Sequence, residues 1–310
     1  MRSTYVNGVR YKCSFNRHHA RESICVPEPP PRGIARRGEG SIQMFENKIA
    51  VVLGGTSGIG YATAREFVDR GAVTVIASRR ADEELDERVR ALGDSGGTAW
   101  GATCDVADRQ SVAQLFTQVE NKYGRVDIVV NSAGYHAPTP AFEPDAEQVD
   151  RLIAVNFLGG INVIQAAIQS MRPRGGVIVA VHSTQSVLGE PGQAVYAATK
   201  AGIAHFLKST TPELRKTGIR LVGFAPGAVD TPMVAGVSRP TTPELAAMKS
   251  RLEAYDNSSP YGEFFLQPEE VAPVIAFLAS DGAKAIHGVN VVGDQGRTSS
   301  LFGMPEYLSD

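Results

Sequence analysis

From residue 48 onward, short continuous apolar runs alternate with amphipathic stretches, and few folds tolerate that rhythm. The apolar runs are 49–53, 73–78, 98–104, 128–131, 177–182, 219–224 and 289–292. Between them lie 59–70, 83–92, 109–123, 146–171, 194–215 and 268–280, where apolar residues recur at helical spacing. A strand that reads as an unbroken apolar run is covered on both faces, as in a parallel sheet. Strands alternating with helices build such a sheet through right-handed crossovers. The expectation is an α/β fold: one doubly wound, Rossmann-like parallel sheet with helices on both faces. No internal repeat or linker interrupts it, so residues 44–310 read as a single domain.

The first strand runs into Gly54-Gly55-Thr56-Ser57-Gly58-Ile59-Gly60, which opens the first helix. Glycines there allow a tight turn and close approach of the backbone to a pyrophosphate, which the helix N-terminus attracts. Gly54, Ser57, Gly58, Ile59 and Gly60 are therefore candidate cofactor contacts. At the end of the second strand, an acidic residue would bond an adenosine ribose 2′-hydroxyl. Ser78-Arg79-Arg80 stands there instead, and no carboxylate follows before Asp82. A guanidinium fork suits a phosphate. NADP(H) is expected over NAD(H).

Tyr196 and Lys200 are one helical turn apart, and Ser183 ends the run 177–182. Ligands in open α/β sheets bind beyond the carboxyl ends of the strands. A phenol has a reference pKa of about 10. A lysine on the same helix face favours the phenolate, which would tune the tyrosine as a general acid or base. The serine can bond the same substrate oxygen. Together these residues describe hydride transfer between a nicotinamide and a carbonyl or alcohol carbon.

With these motifs in order, residues 45–300 resemble the short-chain dehydrogenase/reductase superfamily. The matching residues are Gly54-x-x-x-Gly58-Ile59-Gly60, Asp105-Val106, Asn131-Ser132-Ala133-Gly134, Asn156, Ser183, Tyr196-x-x-x-Lys200 and Pro226-Gly227-x-x-x-Thr231. The resemblance implies a catalytic tetrad of Asn156, Ser183, Tyr196 and Lys200, with Asn156 at a bend in its helix holding a water that relays protons. It places Asp105 and Val106 at the adenine, and Asn131, Ala133 and Gly134 along the cofactor. Lys200 would bond the nicotinamide ribose. Pro226, Gly227, Val229 and Thr231 fall in the motif that meets the nicotinamide carboxamide. It also implies a homotetramer or homodimer formed through helices 146–171 and 194–215. The chain departs from the family pattern at Leu53, Ser132, Ala225 and Asp294-Gln295-Gly296.

Composition narrows the partners. A net charge of −2 gives no reason to expect nucleic acid or an anionic membrane. No apolar run is expected to reach the ~20 residues that cross a bilayer. Three cysteines without paired spacing argue against disulfides and zinc, so a reducing, cytoplasmic setting and no metal are expected. Cys13, His18, His19 and Cys25 fit no standard zinc spacing. Residues 1–43 are basic, carrying Arg2, Arg10, Lys12, Arg17, Arg21, Arg32, Arg36 and Arg37 against Glu22, Glu28 and Glu39. They read as a disordered extension, with Met44 as an alternative start. Residues 232–266 break the alternation with four prolines and a helix expected at 243–255, which reads as a substrate lid. Its cover would come from Met233, Val234, Met248, Leu252, Tyr255 and Phe264.

The substrate is expected to be a small carbonyl or alcohol. One candidate class is the β-ketoacyl thioester, because Arg172, Arg174, Arg215 and Lys216 could form a basic patch at the site mouth for an acidic acyl-carrier protein. A non-catalytic dinucleotide-binding regulator is the alternative outside enzymes, since fold alone does not fix function. His136, Ser186, Val187, Leu188, Glu190 and Gln193 are candidates for substrate contact. Glu190 reads more simply as a solvated loop carboxylate, and His182 as packed behind its strand.

Overall fold

The computed structural model describes residues 2–6, 9–15, 23–27, 44–79, 83–238 and 264–299, with a few positions between 243 and 250. Arg80, Asp82, Met248, Leu252 and Tyr255 lie outside the described residues. Two units are distinguished, 1–42 and 43–310.

The first unit carries a three-stranded antiparallel sheet of β1 (Arg2–Val6), β2 (Val9–Phe15) and β3 (Ser23–Pro27), in that order. This corrects the expectation of a disordered extension. The reason is visible at Val9, Tyr11, Cys13 and Phe15, which alternate with polar residues at the period of a strand. The register sets Cys13 opposite Cys25, a pairing that linear spacing does not reveal.

The second unit is built on seven parallel strands: β4 (Ile49–Leu53), β5 (Val73–Ser78), β6 (Thr98–Thr103), β7 (Ile128–Asn131), β8 (Gly176–Val181), β9 (Ile219–Pro226) and β10 (Asn290–Gly293). Their order across the sheet is β10-β9-β8-β7-β4-β5-β6, the doubly wound arrangement expected. The order reverses between β4 and β7, which opens a crevice at their carboxyl ends. The core lies in two layers. Val51, Leu53, Val129 and Ile178 face one layer, and Val52, Ile76, Val130 and Val179 face the other. Alternate residues of one strand thus serve opposite faces, which is why each strand is apolar throughout.

The helices are α1 (Gly58–Asp69), α2 (Glu83–Asp94), α3 (Arg109–Tyr123), α4 (Ala146–Leu152), α5 (Gly159–Met171), α6 (Ala194–Thr210), α7 (Ala235–Ser238) and α8 (Pro268–Ala279). Their ends follow local chemistry. The Asp108 carboxylate accepts from the Gln110 N–H to open α3, and Gly124 closes it at φ 77°. Between α4 and α5, Ile153–Leu158 widens into a π-helical turn around Asn156. One extra residue per turn bends the helix and frees a polar side chain, a feature common at functional sites.

Among the described residues, one helix, Ala146–Met171, is long and apolar enough to cross a membrane, with a mean hydropathy of 1.5. This amends the expectation that no run reaches that length. Here Leu152, Val163, Ile164, Ala167 and Met171 are buried, and the last four join the core beneath the sheet.

Candidate active site

The glycine turn sits at the carboxyl end of β4, and each of its glycines answers to a close contact. A Cβ on Gly60 would lie 2.1 Å from the Gly54 carbonyl oxygen, and one on Gly54 would lie 2.8 Å from the Ala133 nitrogen. Gly54 and Gly58 also hold positive φ, 71° and 50°. Ser57 stands at the N-cap of α1, but its side chain makes no capping hydrogen bond. The first N–H groups of α1 and the Ser57 hydroxyl are thus left for an anion. The turn fits a dinucleotide pyrophosphate. Thr231 closes the opposite side, since its methyl carbon would be 2.9 Å from a Cβ on Gly58.

The other expected cofactor residues fall at or just beyond the carboxyl ends of the strands. Ser78 and exposed Arg79 end β5 beside the turn. Asn131 is buried at the end of β7, where its Oδ1 accepts from the Ala133 N–H at 3.3 Å. Pro226 ends β9, and the Gly227 N–H donates to the Gly293 carbonyl. Val229 is buried and pairs with Leu266 in an isolated parallel bridge. Asp105 turns inward on its own loop, its carboxylate accepting from the Ala107 N–H. Val106 is drawn further into the core than its expected adenine role implies: it is buried, and its carbonyl accepts from the Asn162 amide at 3.1 Å.

Asn156, Ser183, Tyr196 and Lys200 converge at the ends of β7 and β8. Tyr196 is buried, and the Ser183 hydroxyl hydrogen-bonds it. The Lys200 ammonium lies 5.4 Å from the Tyr196 ring centroid. A Cβ on Gly134 would be 3.5 Å from both Lys200 Nζ and Asn156 Oδ1, so these two flank the same backbone. The Asn156 amide is fixed twice. Its Oδ1 accepts from the Tyr135 N–H, and its Nδ2 donates to the Tyr135 carbonyl, both at 2.8 Å.

The electrostatics reverse one expectation. Burial pushes the Tyr196 phenol up to about 12, with the Ser183 hydrogen bond opposing and the Glu190 charge adding to the rise. Lys200 is itself desolvated and falls to about 8. Burial penalises both charged forms, so the lysine does not bring the phenol down as its spacing implied. In this desolvated pocket the Tyr196 phenol keeps its proton at neutral pH.

Two of the residues expected to touch substrate, His136 and Gln193, lie beside Tyr196. The His136 ring packs edge-on to Tyr196 at 5.0 Å, and Gln193 hydrogen-bonds His136. The Met233 methyl would sit 3.5 Å from a Cβ on Gly134. His182 is buried as expected, but it is also bonded to Asn290 at 2.9 Å. The basic patch is not where it was expected. Arg172 and Arg174 precede β8, and Arg215 and Lys216 precede β9, so they stand at the amino ends of strands whose carboxyl ends bear the site. Six residues of β8 place them about 20 Å from Ser183.

A family profile described as enoyl-(acyl carrier protein) reductase matches residues 54–298, which spans both the glycine turn and the tetrad. The chain belongs to the short-chain dehydrogenase/reductase family. It is 36% identical to cis-4-hydroxycyclohexanecarboxylate dehydrogenase of Sinomonas cyclohexanicum, over 83% of this chain and 99% of the relative. It is 37% identical to the 3-oxoacyl-(acyl-carrier-protein) reductase FabG of Thermotoga maritima, over 81% and 98%. Among solved structures, an actinorhodin polyketide ketoreductase variant with NADPH superposes with a TM-score of 0.74 at 31% identity, covering 82% of this chain and 98% of that one. The short-chain dehydrogenase is thus an oxidoreductase of CH–OH and C=O groups that binds a nicotinamide dinucleotide and acts on a small molecule.

Proposed function

We propose that this short-chain dehydrogenase is an NADPH-dependent reductase of small-molecule ketones. The carrying observation is the buried Tyr196 phenol, held protonated beside the Ser183 hydroxyl. The bound dinucleotide supplies the hydride. Ser183 donates a hydrogen bond to the carbonyl oxygen, and the Tyr196 O–H gives its proton to the oxygen as negative charge develops there. A phenol near 12 remains a far stronger acid than an alcohol, so this transfer runs downhill. The reduction leaves that phenolate behind, so a proton must return to Tyr196 from solvent before the next turnover. Asn156 holds the Tyr135 backbone beside the phenol through two hydrogen bonds, and Lys200 flanks Gly134.

Arg79, exposed at the end of β5, supports NADPH, because it stands where a ribose-binding carboxylate would discriminate the other way. Arg80 would add a second guanidinium. A homo-oligomer is supported by Ile153 and Leu158, which expose apolar surface on the long central helix. Reduction of a 3-oxoacyl thioester on a carrier protein is the second reading, favoured by the similarity to FabG. The position of the basic patch weighs against it within one subunit.

Initial rates with NADPH and NADH, measured over simple ketones and acetoacetyl thioester, test these points. At least tenfold higher kcat/KM with NADPH is expected, and Arg79→Asp should remove that preference. Preference for NADH would overturn the cofactor assignment, and turnover confined to the thioester would overturn the substrate class.

A further inference from the structure

Around the catalytic hydroxyls lies a group of polar side chains that the proton transfer does not use. The Gln185 backbone N–H donates to Ser183 Oγ at 3.2 Å, while its side-chain amide donates to the Glu190 carboxylate. Glu190 is exposed, yet its charge reaches both Tyr196 and His136 and raises each. Gln193 bonds His136, whose ring packs against Tyr196. The loop carrying these residues is tied down. The Gln193 N–H donates to the Glu190 carbonyl at 3.1 Å, the Thr139 N–H donates to the Gly192 carbonyl at 2.7 Å, and the Val195 N–H donates to the Thr139 hydroxyl at 3.2 Å. Glu190 is therefore held beside the site, not free on a loop tip.

The group is rich in acceptors and short of donors. Because the Gln185 nitrogen is engaged by Glu190, its amide orientation is set and its oxygen can only accept. Among the described residues, Gln185 Oε1 is buried without a hydrogen-bond partner. Buried carbonyl oxygens are nearly always paired, so one beside a catalytic centre marks a place that expects a donor. His136 adds no positive charge, because burial lowers its pKa below the usual histidine value. A carboxylate on the substrate would meet the like charge of Glu190. A hydroxyl would meet a charged acceptor, the stronger kind of hydrogen bond.

We propose that Glu190, oriented by Gln185 and backed by Gln193, forms a subsite for a second hydroxyl on the substrate, so that hydroxyketones and diols are preferred over simple ketones and alcohols. This rests on the ketone-reductase reading and names its substrate class. The subsite can be read without turnover. NADPH cannot react with an alcohol, so wild-type enzyme saturated with NADPH forms dead-end complexes with 2,3-butanediol and 2-butanol. Calorimetry should show the diol binding about tenfold more tightly, the usual scale of a charge-assisted hydrogen bond. In Glu190→Ala the ratio should fall below threefold. A wild-type ratio below threefold, or a ratio unchanged in Glu190→Ala, overturns the subsite. Rates with acetoin and butanone are the separate measurement. Diol discrimination without reduction of either ketone would refute the reductase reading and leave the subsite standing.

Discussion

Acidification should cost this enzyme stability through a single buried histidine. His182 is 4% exposed at the end of β8, directly before Ser183. Burial lowers its pKa from 6.5 to about 4; the Lys200 charge lowers it too, while the contacts with Ser183 and Asn290 pull the other way. Asn290 Nδ2 donates to the Ala204 carbonyl, so its Oδ1 faces His182 Nε2, while His182 Nδ1 faces the Ser183 carbonyl at 3.3 Å. In the unfolded chain the ring takes up a proton below about 6.5, whereas in the fold it stays neutral down to about 4. The unfolded state therefore binds more protons throughout that window. Stability is fully present above pH 6.5 and is lost as pH falls towards 4. Each pKa unit is worth about 1.36 kcal/mol, so the loss is of order 3 kcal/mol, a large share of a typical folding free energy. Urea unfolding of wild type and His182→Gln at half-unit steps from pH 7 to 4 isolates the residue, because other titrations cancel in the difference. The variant should be less stable at pH 7 and should close much of the gap by pH 4. Parallel profiles would refute the reasoning.

Tyr196→Phe should lower kcat by 10²–10⁴-fold, the range of a positioned general acid, while NADPH affinity by fluorescence titration stays within about threefold. Gly60→Ala puts a Cβ 2.1 Å from the Gly54 carbonyl; the turn must open, and cofactor affinity should fall more than about tenfold with a lower Tm. Asn156→Ala removes both hydrogen bonds to Tyr135 and should cost about 2 kcal/mol in urea unfolding, as well as most of kcat. If that variant unfolds like wild type, the amide does not brace the site.

Legibility in the sequence followed burial. The spans 49–53, 73–78 and 128–131 are strands, and 109–123 is a helix, as expected, because doubly covered strands and one-sided helices leave unambiguous patterns. Helix 194–215 ends earlier, at Thr210, where Pro212 opens a 3₁₀ turn. The alternation of Val9, Tyr11, Cys13 and Phe15 with Arg10, Lys12 and Ser14 was outweighed by the basic, proline-containing composition of residues 1–43. Gln295 keeps the left-handed backbone, φ 58°, of a position where the family pattern has glycine. Its neighbour Asp294 caps the turn by accepting from the Gly296 and Thr298 N–H groups.

Residue order alone determined the parallel sheet, the glycine turn and the candidate proton donor, because those depend on local periodicity and on side chains a fixed step apart. Charge behaviour was decided in three dimensions. Whether Lys200 lowers the Tyr196 pKa depends on how much water each keeps, and the fold removes nearly all of it from both. Distance was decided there too. Arg174 and Ser183 are close along the chain but occupy opposite ends of a fully extended strand, while Glu190 and His136, far apart in sequence, are brought to one phenol.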